Sequence, residues 1–367
     1  MSFVSLKKKV QVKIDLYRKR QAEKVHNNYM AKNLKKLQCV KQLTAEQEEE
    51  IQNFYQKLIG KKVCLDSHRY FYSRTGTFSK EYVPTYLYHV DLINKANMLS
   101  YRDALADKNM CDILFPEIKH PRTILKNRNG YFYMYEKPVS REEAVRQCQN
   151  LQNMLIKPSL DKHGNGVKSL EVENGITNHD GATIEQVFEK YSMNFQIQER
   201  LKQHERMAAL NPTSVNTIRL LTYRSGMEVL LVYAVVRIGR EGQVIDNQCA
   251  GGLSTYIDKD GNLGSFSYGG YNEDNVIRTD TGIKLGGYHI PSFDKAVEAV
   301  KKLHFNLPFF DLVGWDIAID DEGEPVMLEW NANTGLSQSA FGPGFGEYTE
   351  RIIKELWPRE NKYNHNW

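Results

Sequence analysis

Apolar positions along this chain keep two rhythms. Over residues 1 to 43, Val10, Ile14 and Tyr17, then Met30, Leu34 and Leu37, recur at three- and four-residue steps without Gly or Pro, which predicts helix. Thr44 and Gln47 have capping-box spacing and start a second helix that runs to Leu58 before Gly60. Beyond residue 60 the rhythm is mixed. KKVCLDSH reads as a short strand, the aromatic-rich HRYFYSRTGTFSKEYVPTYLYHV as a surface loop ending at Tyr86 to Val90, and LINKANMLSYRDALADKN as a helix. TILKNRNGYFYMYE predicts a hairpin turning at Asn129-Gly130, and SREEAVRQCQNLQN a helix capped by Ser140. A strand, a loop over residues 161–166 and a strand from Val167 to Val172 follow. Phe195 to Gln198 reads as a strand, two long apolar strands lie beyond Asn211-Pro212, and GWDIAIDDEGEPVMLEWN reads as a hairpin.

At 367 residues and 41% hydrophobic, the chain is long enough for one large core or two to three lobes. No apolar run reaches 18 residues and the N-terminus lacks a signal-peptide core, so a cytoplasmic protein is expected. Five scattered cysteines, never in CxxC spacing, suggest neither zinc nor a disulfide framework. Charge is uneven. Residues 1 to 43 carry 12 Lys/Arg against Asp15 and Glu23, a surplus of +10 in a chain of net +4, so the other 324 residues carry −6. A solvated helical arm packed on the body is the plain reading. The alternative is a basic helix drawn to anionic lipid, at the inner face of the membrane, or to a polyanionic substrate. No aromatic-interleaved motif supports nucleic acid.

Chemistry concentrates in three places. Gly164 and Gly166, in Asp161 to Gly166, let backbone N–H groups converge into an anion-holding nest, with Lys157 just before it; an ordinary hairpin turn is the alternative. Arg219 lies among β-branched residues on a strand that reads as buried, which calls for an anion, either a structural carboxylate or a bound phosphate or carboxylate. The third place is the last hairpin. With a loop over 321–324, Asp316 faces Glu329, and side-chain alternation puts Asp316, Glu329 and Asn331 on one face. Trp315, Ile317, Leu328 and Trp330 then take the other. Opposed carboxylates repel unless a positive charge sits between them, and a hard divalent cation that completes its shell with water and phosphates answers best.

Ile156-Lys157-Pro158, the glycine loop, Glu199, Asp316 and Glu329-x-Asn331 together resemble the ATP-grasp superfamily. The wording of NPTSVNTIRLLTY, GWDIAI and LEWNANTG is similar to its sugar-transfer-associated branch, known from polysaccharide and teichuronopeptide gene clusters. The resemblance covers roughly residues 65 to 357. It implies an α/β (α+β) ATP-grasp fold with a small mobile lid and a larger antiparallel-sheet catalytic lobe. Residues 1–60 would then be the basic arm, 61–125 an N-terminal α/β region, 126–200 the lid and 201–367 the catalytic subdomain. Asp316, Glu329 and Asn331 would hold one or two Mg²⁺, with Mn²⁺ an alternative. Lys157 would meet the α/β-phosphates of ATP, backbone amides of His163, Gly164, Asn165 and Gly166 would close over them, and Asn216 would join the nucleotide contacts. Gln198, Glu199 and the backbone of Arg200 and Leu201 would meet adenine. Lys95 and Lys126 compete for a second phosphate contact. The superfamily's arginine before the first metal aspartate is missing at Gly314-Trp315, and Arg219 is the replacement.

The implied reaction is ATP-dependent carboxylate–amine ligation through an acylphosphate, joining an amine or amino acid to a uronic acid or similar carboxylate, free or sugar-linked. Besides Lys157, Arg219 and Asn333 are the candidate catalytic residues, with Asn333 to Gln338 beside the transferred phosphate. His68, Arg69 and Tyr70 to Tyr72 suggest a sugar platform, and CAGGLSTY and SYGGY supply turns, read as plain hairpin turns or as lining of the same cleft. A ligase or phosphotransferase without a sugar, and a non-catalytic nucleotide-binding scaffold, are the alternatives.

Overall fold

In a computed structural model, placement is described for residues 3–160, 166–243, 246, 251–270 and 273–361. The chain divides into two compact units. One comprises Met1–Leu99, Tyr271–Asp274 and Gly335–Trp367; the other comprises Ser100–Gly270 and Asn275–Thr334.

The first unit is helical. Helix α1 (Phe3–Leu34) anchors by its last turns, where Met30 and Leu34 pack with Tyr70, Phe71 and Tyr82. Further up, Val10, Val12, Ile14 and Leu16 are exposed. Two-residue steps turn a helix by about 200°, so these side chains wind around α1 instead of forming one apolar stripe. Helix α2 (Ala45–Ile59) starts at the expected capping box: Thr44 Oγ1 accepts from Gln47 N at 3.2 Å and Gln47 Oε1 accepts from Thr44 N at 3.0 Å. Gly60, at φ +69°, ends it.

The next segment differs from its sequence reading. No strand forms at residues 61–68; helix α3 (Asp66–Thr75) stands where a surface loop was expected. Its buried positions, Ser67, His68, Tyr70, Phe71 and Arg74, recur at helical steps, and burial of that face overrides the strand preference of aromatic residues. The sugar platform therefore fails: His68 is 1% exposed, its Nε2 engages the Lys80 carbonyl at 3.2 Å, and burial lowers its pKa to about 4. A π-helical segment, Leu87–Leu92, runs into Ile93–Ala96. Gln338 is a staple within this unit, accepting from Val83 N and Gly344 N at 2.8 Å each and donating to Val83 O at 3.0 Å, which removes it from any substrate role.

The second unit is built on two antiparallel sheets. Strands β1 (Thr123–Arg128), β2 (Tyr131–Met134), β3 (Lys137–Val139), β4 (Leu151–Pro158), β5 (Lys168–Glu173), β6 (Ile176–Thr177) and β7 (Phe195–Glu199) order as β3-β2-β1-β7-β4-β5-β6. The β1–β2 turn is the expected Asn129-Gly130, with φ of +52° and +90°. Helices Arg141–Gln147, capped by Ser140, and Ile184–Tyr191 place Ala144, Val145, Val187 and Phe188 in this sheet's core. Strands β8 (Thr217–Ser225), β9 (Glu228–Ile238), β10 (Leu253–Ile257), β11 (Leu263–Tyr268), β12 (Leu312–Ile319) and β13 (Pro325–Asn331) order as β11-β10-β9-β8-β12-β13. Helix Phe293–Leu303 packs on β8 and β9. The segment expected as one helix before Lys108 is broken into short turns, including Arg102–Leu105 and Lys108–Met110 in this unit.

Candidate active site

Strand β12 is the spine of the site, because its two neighbours supply everything that faces Asp316. On β8, Arg219 is directly opposite; on β13, Glu329 is. Arg219, Asp316 and Glu329 thus form a row across three strands on one face. The Asp316–Glu329 register holds with an unexpected bulge. Nearer the turn Ile317 pairs with Met327 and Ile319 with Pro325, one residue out of step, and a bulge between Asp316 and Ile317 restores the pairing. Trp315, Ile317 and Trp330 go to the core, and Leu328, beside the bulge, is half-buried.

Arg219 grips Asp316 with both arms of its guanidinium, Nε to Oδ1 at 2.5 Å and Nη2 to Oδ2 at 2.6 Å, while Nη1 donates to Thr334 Oγ1 at 2.8 Å. Arg237, on β9, reaches the same carboxylate at 3.4 Å. Asn331 Nδ2 lies 3.5 Å from Asp316 and 3.3 Å from Glu329, so the two carboxylates and the amide share one small space. Of the two kinds of anion expected for Arg219, the structure supplies the structural carboxylate, Asp316.

Glu329 pairs with Lys108 Nζ at 3.0 Å. Burial alone would raise the Glu329 carboxyl, but Lys108, a hydrogen bond with Asp316 and Arg219 outweigh it and hold it well below the carboxylate range. Burial opposes the charge on Lys108 too, and Glu329 more than restores it. Lys157, on β4, differs. Burial and the nearby charge of Lys108 push it down to about 8, and Glu329 only partly compensates. Arg219, Arg237, Lys108 and Lys157 outnumber the carboxylates Asp316, Glu329 and Asp246, the last beside Arg237, leaving the site one negative charge short.

The remaining sequence-chosen residues scatter. Lys95 belongs to the first unit and caps the carbonyls of Trp357 and Arg359. Lys126 is 1% exposed and clamped between Asp112 and Glu136, each at 2.5 Å. Neither is available for phosphate; Lys108 is the lysine that joins Lys157. Asn216 is likewise structural. It is fully buried, its Nδ2 donates to Met207 O and Asn211 O, and its Oδ1 accepts from Gly239 N and Ser214 Oγ. Glu199 pairs with Arg122 at 2.7 Å, and Arg200 N donates to Asn153 O at 2.9 Å, using Arg200's own amide within the sheet. Leu201 follows half-buried. Gln198 Nε2 donates to Thr123 Oγ1 at 2.7 Å. His163, Gly164 and Asn165 lie outside the described residues; Gly166 has φ +75°, and a Cβ there would sit 2.8 Å from Pro158 Cγ. Asn333 is exposed.

Arg102, Lys108, Leu160, Glu329, Asn331 and Asn333 line one cleft of about 70 Å³. A second, smaller space lies between the sheets, lined by Lys108, Gln196, Gln198, Met327 and Leu328, and Gln196 Oε1 is buried there with no partner among the described residues. Sequence reasoning missed Lys108, Arg237 and Arg102. Only the Asp107 cap on the Lys108–Met110 turn, Oδ1 accepting from Asn109 N at 2.9 Å, left a local trace.

The model of the sugar-transfer associated ATP-grasp family matches residues 87–353. The chain belongs to that family. Among solved structures it is similar to the ATP-grasp ligase PsnB complexed with minimal precursor, at 14% identity over 68% of this chain and 60% of that one, TM-score 0.39. VanG D-Ala:D-Ser ligase from Enterococcus faecalis matches at 14% over 68% and 60%, TM-score 0.40. D-alanine–D-alanine ligase from Bacillus anthracis complexed with ATP matches at 15% over 71% and 69%, TM-score 0.39. The chain thus spans about 60% of PsnB's length. A sequence comparison with curated proteins finds no match.

The donor set fits the Mg²⁺ that an ATP-grasp site implies. Asp316 and Glu329 offer hard carboxylate oxygens on one face; Asn331 turns Nδ2 toward both, so its Oδ1 would join them on a flip of the amide, and among the described residues no larger His/Cys/Asp/Glu cluster competes.

Proposed function

We propose that this protein is an ATP-dependent ligase that joins a carboxylate to an amine. The observation that carries the reading is the charge-deficient row Arg219–Asp316–Glu329 with Lys108 and Lys157 beside it. A polyanion with a divalent cation balances such a site, and MgATP is one.

Asp316, Glu329 and Asn331 hold the ion. When bound, Mg²⁺ offsets charge on the transferring phosphoryl group. Lys108 and Lys157 bind the phosphates, taking the role the sequence left between Lys95 and Lys126. Binding phosphate restores the proton that Lys157 holds weakly. Gln196 Oε1, buried without a partner, is suited to accept from the adenine amino group, beside Gln198 and the Glu199–Leu201 link. Arg219 fixes the Asp316 carboxylate in orientation, supplying the charge that Gly314-Trp315 lacks. Asn333, at the cleft rim, is placed to meet the acceptor. A carboxylate oxygen takes the γ-phosphoryl group and ADP leaves; the amine nitrogen then attacks the acyl carbon, phosphate leaves, and the nitrogen gives up its proton. We assign residues 126–200 as the lid and 201–367 as the catalytic subdomain.

The family description supports a sugar-linked acid in surface-polysaccharide synthesis as substrate, and the need for ATP supports work in the cytoplasm. Exposed lysines and apolar side chains along α1 support contact with an anionic polymer or lipid surface. The test is ADP and phosphate release from ATP and Mg²⁺ with mixed uronic acids and amines; silence across the panel favours a scaffold. Equal sedimentation with anionic vesicles of the whole chain and one lacking residues 1–43 ends the membrane role.

A further inference from the structure

The helical unit contains a cavity of about 200 Å³ that the reaction above does not use. That is smaller than the pockets that take drug-sized ligands and suits a ligand of about one ring. Glu23 and Asn27 of α1 form one wall, Lys61 and Lys62 after α2 another, and Tyr86 and Asp91 a third. Asp91 is 2% exposed. Its Oδ1 accepts from Lys19, whereas its Oδ2 is buried with no partner among the described residues. A buried carboxylate oxygen left unpaired is costly unless a ligand donates to it. Asp91 is carried by the π-helical segment Leu87–Leu92, and such wide turns concentrate at functional sites.

The lining defines the ligand. Because Lys19 already neutralises Asp91, the open oxygen asks for a neutral donor such as a hydroxyl rather than another cation. Glu23 adds an acceptor, and Asn27 and Tyr86 can donate or accept. Exposed Lys61 and Lys62 add positive charge at the mouth, while Ile59 and Leu87 give an apolar floor. Hydroxyls within, an anionic group outward and a partly apolar ring face describe an acidic sugar.

We propose that this cavity binds a hexuronic acid or its glycoside, hydroxyls toward Asp91 and Glu23 and carboxylate toward Lys61 and Lys62. The proposal rests on the ligase reading only in taking the sugar acid as related to the substrate. Binding itself needs neither nucleotide nor metal.

Calorimetric titration of the full chain without ATP or Mg²⁺ tests it, with D-glucuronate, D-glucose and acetate as probes. D-glucuronate should bind saturably and at least tenfold more tightly than either other probe. Asp91→Asn and Glu23→Gln should each weaken it at least fivefold, Glu23→Gln with unchanged melting, and Lys62→Ala should bring glucuronate close to glucose. If Asp91→Asn misfolds, Glu23→Gln decides. Absence of glucuronate binding, or equal binding by both carboxylate variants, overturns the site. Glu329→Ala should bind glucuronate normally while losing ADP release, which separates failure of this site from failure of the ligase reading.

Discussion

Two charge clusters in the sheet-bearing unit use the same residue types toward different ends. Around Lys126 every cation has its carboxylate: Lys126 lies between Asp112 and Glu136, and Arg128 shares Glu136 at 2.7 Å. Around Asp316, Arg219 takes one carboxylate and Lys108 the other, and Lys157 is left among charges that leave it short of a counterion. The balanced cluster is complete without a ligand. The unbalanced one keeps a lysine at a depressed pKa, a state that a bound anion would relieve. A buried lysine is therefore informative only together with its partners.

The comparison breaks first at the carboxylates. Asp316→Ala and Glu329→Ala should each lower ADP release by at least about 10³-fold; full turnover in either would remove the metal assignment. Next come the lysines. Lys108→Ala and Lys157→Met should lower kcat/KM for ATP by about 10²-fold. Lys157→Met should also raise stability by on the order of 1–2 kcal/mol, because a charge that burial disfavours is gone; a lower urea midpoint would contradict this.

A smaller effect follows from pH. Lys157 loses its proton near 8 in the folded protein, below the ordinary lysine value, so KM for ATP should rise as pH climbs above about 8. Lys157→Arg should flatten that rise. In the absence of ATP the unfolded chain binds the extra proton between that value and the ordinary one, so this group makes stability increase with pH across that window. The smallest catalytic effect belongs to the balanced cluster. Lys126→Met should cost about 1–2 kcal/mol of stability, since Asp112 and Glu136 are partly solvated, yet change kcat/KM by less than about threefold. A hundredfold loss of activity would return Lys126 to the site.

Much of the site was legible because much of it is local. Asp316, Glu329 and Asn331 belong to one hairpin, where alternation and a short turn bring them together. The loop length assumed from sequence differs from the real one, and the bulge after Asp316 absorbs the difference. Asn216 misled because a polar residue on a buried strand looks functional until its bonds to Met207, Asn211, Ser214 and Gly239 are seen. The aromatic run at His68 to Tyr72 misled because composition hid a helical period.

By itself the sequence determined the family, the carboxylate hairpin and the helical caps, all of which depend on spacing within a few turns of chain. Tertiary structure alone decided which lysine accompanies Lys157, what Arg219 holds and which polar residues are spent on the scaffold. Those outcomes depend on β8 lying beside β12 and on the turn carrying Lys108 meeting β13, contacts between distant segments that no local spacing encodes.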